Sequence, residues 1–430
     1  MKADRTSVAT KAGRNAAGVR PLPAWLLLLT VTVIGLNLRA GMGSIPPLLG
    51  RISDDLRLPA TAQALLTSAQ VVFIGLSALV VRRLAARTGA ESATAVLLGA
   101  LSLSCLMRFQ ATSIAVLLVS AALAGLGMGG VSVLIPGLIT HHLPRLPGLA
   151  TGLYSTAMAG GVALAAWTAG PLAERLGGWR PALGAWGVAA ALTALAWLAL
   201  LPRLSRTPAA EAAREKPRRS PWKSATARWI TLYTVLQTIV GFSGLAWIAP
   251  SYVERGLPAQ DGAALFSLFQ LVQLVAMLTL PPITDHTRDR RPLLAVSLAC
   301  VALGLAGMVA APAALAIPAV GLFGLGIGGS FSLGLVLIID AAADRDEATQ
   351  LSAMVTLVGY IGGASGPLML GLLHDLTGGF DAGYATLLVI SLVILCIVPV
   401  FRPGRGLGSP LPARPAASPG RTAESSPGEG

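Results

Sequence analysis

Charge is what this chain has least of. Only 12% of its 430 residues are Asp, Glu, Lys or Arg, against 54% hydrophobic residues, and the mean hydropathy is +0.71. Soluble domains carry about a quarter charged residues, so the composition excludes one and places the chain in a bilayer. Cysteine is scarce as well: Cys105, Cys300 and Cys396 lie far apart within apolar runs, which excludes a disulfide framework and any zinc-ligand spacing. The histidines, His141, His142, His286 and His374, fall at the edges of apolar runs and are expected to be loop residues, with His374 and His142 the two candidates for taking up a proton. Carboxylates are missing from the middle of every apolar run. Asp340 stands at the end of one, and Glu174, Asp375 and Asp381 belong to turns, which argues against a buried carboxylate relay. No phosphate-cradling GxxxxGK[ST] loop occurs, so the chain carries no ATP engine of its own.

What is present is a series of twelve apolar runs between residues 24 and 401. Each can cross about 30 Å of hydrocarbon as a helix. Only Ala311 and Pro312 part the ninth run from the tenth. The expected fold is an all-α membrane protein of two pseudo-symmetric six-helix bundles, 24–201 and 229–401. A tail (1–23), a charged linker (202–228) and a Pro/Gly/Ser-rich tail (402–430) complete the organisation. The charged stretch before residue 24 is too long, and the apolar run after it too extended, for a secretory signal. Of 32 Lys and Arg residues, 25 fall on the side of the two tails, six on the other side, and Arg39 lies inside the first run. The positive-inside rule therefore expects both termini in the cytoplasm. A net charge of +13 is accounted for by that topology rather than by nucleic-acid binding.

The two halves resemble each other in sequence. GLGMGG at Gly125 recurs as GLGIGG at Gly324, 199 residues on, and Leu58-Pro59-Ala60 recurs as Leu257-Pro258-Ala259 at the same offset. A six-helix unit repeated in parallel places a central site between the halves near mid-depth. The glycine clusters are expected to serve close helix packing. A nucleotide loop is excluded for them because no strand precedes them.

Arg39 is the residue that most needs a reason. An intramembrane charge costs about 2.5–3.5 kcal/mol on insertion scales, so such residues face a wet cavity, or else brace a neighbouring helix or snorkel to the headgroups. Other polar side chains within the runs are Asn37 on a different face of the same helix, then Gln70, Gln237, Gln270 and Gln273, each of which could equally make an interhelical hydrogen bond. Adding 198 to Arg39 gives Gln237, a match in position between the halves. Tyr154, Trp247 and Tyr360 complete the candidate wall.

LNLRAGMGSIPPLL (Leu36 to Leu49), GGVSVLIPGLITHHLP (Gly129 to Pro144), TGLYSTAMAGG (Thr151 to Gly161) and GLLHDLTGG (Gly371 to Gly379) resemble the cyanate permease and nitroimidazole transporter branch of the major facilitator superfamily. The resemblance covers residues 20 to 402. It implies that Arg39 faces the substrate path and that Gln237 is the seventh-helix partner. Two departures stand out. Ser132 replaces the branch's asparagine, and Ala86 replaces the acidic residue of the loop after the second helix, beside Arg87 and Gly89. Asp285, Arg290 and Arg291 keep more of that charge pattern in the second half. These five residues are the expected gating set.

The expectation is a secondary transporter of the inner membrane, with no cofactor and no metal, that moves a small anion or small polar compound. Its partners are then that small molecule and the lipid bilayer, with a monomeric chain and a proton as candidate coupling ion. The rivals are a multidrug-type exporter, for which the aromatic residues speak, and a ligand sensor, for which no soluble signalling domain is present. An intramembrane enzyme lacks a visible nucleophile and base.

Overall fold

Twelve helices are long and apolar enough to cross a membrane among the residues that this computed structural model describes, which are 22–204, 222, 224–285, 289–310, 314–342 and 345–401. In chain order they are α1 (Ala24–Leu56), α2 (Ala60–Thr88), α3 (Ala90–Gln110), α4 (Ile114–His142), α5 (Pro147–Arg175), α6 (Trp179–Arg203), α7 (Ala225–Glu254), α8 (Ala259–Leu280), α9 (Arg291–Ala310), α10 (Ala316–Ala341), α11 (Gln350–Thr377) and α12 (Asp381–Val400). No strand occurs among the described residues. The expected tails and most of the expected linker lie outside them. α7 starts four residues before the expected 229, because the Ser224 side chain accepts from the Ala227 N–H and caps the helix there.

The sequence repeat returns as a repeat of packing. α1 lies along α5, α2 along α4, and α3 against α4 and α6; correspondingly α7 lies along α11, α8 along α10, and α9 against α10 and α12. The glycine clusters make this approach possible. Gly125 and Gly129 face α2 while Gly127 faces α3; Gly324 and Gly328 face α8 while Gly326 faces α9. A Cβ at Gly127 would stand 2.9 Å from the Leu97 carbonyl, and one at Gly326 2.5 Å from the Ser297 carbonyl, so neither helix pair could close with a side chain there. The halves meet where α2 packs on α11 and α5 on α8, two contacts exchanged by the repeat.

α1 is broken. Its first piece, Ala24–Gly43, gives way to a 3-10 turn at Pro46–Leu48 and resumes over Leu49–Leu56. Pro46 and Pro47 lack the N–H groups a continuous helix would use. Arg108 sits at the break. Only 1% exposed, it donates from Nη1 to the Gly41 carbonyl (2.6 Å) and from Nε to the Ser120 hydroxyl (2.8 Å). A cation is favoured there by the negative end of the helix. Arg108, one of the six basic residues on the side away from the tails, is thus an interior charge.

Candidate substrate site between the halves

Arg39 lies one turn beyond Gly35, whose missing side chain lets α1 rest on α5: a Cβ there would stand 2.6 Å from the Tyr154 carbonyl. The arginine is half-buried, and its Nε is shielded from solvent without a hydrogen-bond partner. Tyr154 is 6% exposed, and its hydroxyl stands beside Ser132. The Arg39 guanidinium, the Ser132 hydroxyl and the Tyr360 phenol all lie near enough to act on that hydroxyl. Tyr360 reaches in from the other half. Its Cβ faces Gly75 of α2 at 3.2 Å from where a Cβ would stand, and its ring meets Phe242 of α7 edge-on at 5.4 Å. Residues of α1, α4, α5 and α11 thus meet around the Tyr154 side chain.

Two further polar atoms, on α1 and α8, are buried and unpaired. Asn37 donates to the Val33 carbonyl (3.1 Å) but leaves its Oδ1 bare, and the Gln270 Oε1 is bare as well. A buried polar atom without a partner costs about 1–3 kcal/mol, so each of these calls for water or a ligand. Gln273 is half-buried on α8.

Three expected wall residues are placed elsewhere. Gln237, 3% exposed, donates to the Ile327 carbonyl of α10 at 3.5 Å, inside the second half. Trp247, 1% exposed, donates to the Pro367 carbonyl at 3.0 Å and leans on Phe380. Gln70, 0% exposed, reaches the Met128 sulfur at 3.5 Å between α2 and α4, with its Oε1 unpaired. Each is fixed within its own half, so the positional match of Gln237 with Arg39 does not extend to exposure.

The expected gating residues cluster at the end bearing Leu22 and Phe401. Arg87 is exposed, and Gly89 closes α2 with φ 86°, a conformation that a side chain would strain. Arg290 pairs with Asp340 at 3.2 Å and Arg291 with Asp289 at 2.7 Å. The Arg291 side chain and N–H hold the Asp289 carboxyl below the usual carboxylate range. The Asp285 side chain lies outside the described residues.

Two of the histidines expected in loops, His142 and His374, stand near helix ends and have partners, while His286 lies outside the described residues. His142 meets the buried Glu91 at 3.2 Å, and His374 meets Glu254 at 2.8 Å. Neither glutamate stood out in sequence, since each sits at a helix end with nothing in its neighbours to mark the pairing.

Two six-helix repeats with a half-buried cation, Arg39, within the first membrane-length helix define the candidate site. The model of the Major Facilitator Superfamily matches residues 29–367 and 256–424, and the chain belongs to that superfamily. It is 30% identical over 376 residues to the cyanate transport protein CynX of Escherichia coli (strain K12), covering 86% of this chain and 96% of that one. To the 2-nitroimidazole transporter of the same organism it is 29% identical over 372 residues, covering 86% and 93%. Among solved structures, a D-xylose-proton symporter superposes with TM-score 0.74 at 14% identity, over 89% of this chain and 99% of that one, a likeness of fold.

Proposed function

We propose that the protein is a secondary active transporter of the inner membrane that moves a small anion, or a small polar organic solute, by rocking its two bundles, 24–201 and 229–401, about the central site. The observation that carries this is Arg39, a cation within the first membrane-length helix that forms no ion pair among the described residues and whose Nε is unpaired. A site of net positive charge in low dielectric selects anions over cations. The names of two relatives, for cyanate and 2-nitroimidazole, support a compact solute. Arg39 is the main contact, with Asn37, Ser132, Tyr154, Gln270, Gln273 and Tyr360 around it. Arg87, Gly89, Asp285, Arg290 and Arg291 are the proposed hinge set at the end bearing the termini. That end faces the cytoplasm in this reading, and the chain works as a monomer.

Thermal unfolding of the purified protein tests the site without assuming a transport direction. Sodium cyanate at a hundred times its Kd stabilises a single-site binder by about 2.7 kcal/mol. Protection of the wild type and none of Arg39→Gln is the expected pair of results. Equal protection of both removes Arg39 from the site. Protection by 2-nitroimidazole alone replaces the anion with a neutral solute.

A further inference from the structure

The end of the molecule away from Leu22 and Phe401 is held shut across the two halves by a side chain that the function has not used. α2 begins after Pro59, which provides no side-chain cap. The Pro59 carbonyl accepts from Ala62 and Gln63, leaving the N–H groups of Ala60 and Thr61 to find other acceptors. Both find Asp375 of α11, whose Oδ1 accepts from Ala60 and Oδ2 from Thr61, each at 2.9 Å, while the Thr61 hydroxyl donates to Oδ2. A carboxylate on a helix N-terminus is a charge-assisted cap, here supplied by the other half of the protein. Gly371, one turn earlier on α11, allows the approach, since a Cβ there would stand 2.8 Å from the Ala60 carbonyl. His374 fixes the capping turn within the second half by pairing with Glu254 at 2.8 Å and lying tilted against Phe380 at 4.6 Å between centroids. The contact related by the repeat, α5 on α8, is neutral: the Ser267 hydroxyl donates to the Ala163 carbonyl at 3.2 Å, and Gln260 lies beside Gly170.

We propose that Asp375 is the latch of this end: opening it uncaps α2, so the carboxylate sets the balance between the closed and open states of the transport cycle. This rests on the alternating-access reading. Its test is independent of any substrate. Spin labels at Arg175→Cys in the first half and Thr377→Cys in the second, on the full chain with the native cysteines replaced, report the separation of the halves at this end. Loss of one helix cap predicts about a fivefold rise in the ratio of long to short separations for Asp375→Ala. Asp375→Asn keeps one acceptor oxygen and is expected to fall between that variant and the wild type, and it serves if the alanine variant does not fold. A distribution unchanged from wild type in either folded variant overturns the latch. If the distances shift while no solute moves in transport assays, the latch stands and the substrate reading falls.

Discussion

Arg108 donates to the Gly41 carbonyl at 2.6 Å, two residues beyond Arg39 on the same helix. It braces α1 where the helix breaks, beside the Gly41 carbonyl. Arg108→Gln leaves the Ser120 hydroxyl without its partner, and the Gly41 carbonyl with only the Ser44 hydroxyl at 3.3 Å. The expected cost is about 1–3 kcal/mol for the buried groups left unpaired, read as a lower unfolding midpoint in detergent. An unchanged midpoint would overturn the bracing role.

The glycines separate into those that pack and those that do not. Gly326→Ala drives a Cβ to 2.5 Å from both the Ser297 carbonyl and the Val301 nitrogen, which are backbone atoms that cannot step aside, so α9 and α10 must part. Gly99, in the middle of α3, has nothing within 4 Å of an added Cβ. Gly99→Ala should be neutral or stabilise by about 0.5–1 kcal/mol, the helix-propensity difference, while Gly326→Ala should lower the yield of folded protein. Fluorescence-detected size exclusion of the two variants side by side reads this directly. A well-folded Gly326→Ala variant would refute the packing argument.

Much of the architecture was legible because the bilayer makes it so. A helix in lipid must satisfy its own backbone, and twelve runs of apolar residues admit few other solutions. The repeat was legible too, since Gly125 and Gly324 do the same packing work, each letting a neighbouring helix backbone approach. Side-chain direction was not. Gln237 aligns with Arg39 by number, yet it turns to the Ile327 carbonyl, and nothing along α7 marks which face meets α10. Arg108 and Asp375 were hidden for another reason: each acts on a backbone group far along the chain, at Gly41 and Ala60, where composition leaves no trace.

Orientation follows from the basic residues. With 25 of 32 Lys and Arg on the side of the tails, and Arg108 withdrawn from the opposite side into the interior, the asymmetry is steeper than the bare count. The positive-inside rule then predicts a cytoplasmic position for residue 401. A reporter active only in the periplasm, fused after Phe401, is expected to be silent, and the same reporter in the α1–α2 turn at Arg57 active. The reverse pattern would invert the topology.

Arg39 offers two outcomes that pull apart stability and transport. If its guanidinium meets an anionic solute, Arg39→Lys keeps the charge but loses the planar fork of donors, and uptake should fall at least tenfold while folding is unaffected. Arg39→Gln should abolish uptake and yet unfold no earlier than the wild type, because it removes a charge held in low dielectric with an unpaired Nε. A bracing arginine would behave as Arg108 is expected to, losing stability and activity together. Measuring uptake in proteoliposomes beside the unfolding midpoint therefore decides between the two roles. A midpoint in Arg39→Gln that falls as far as in Arg108→Gln would end the anion argument, since the cation would then have a partner within the protein.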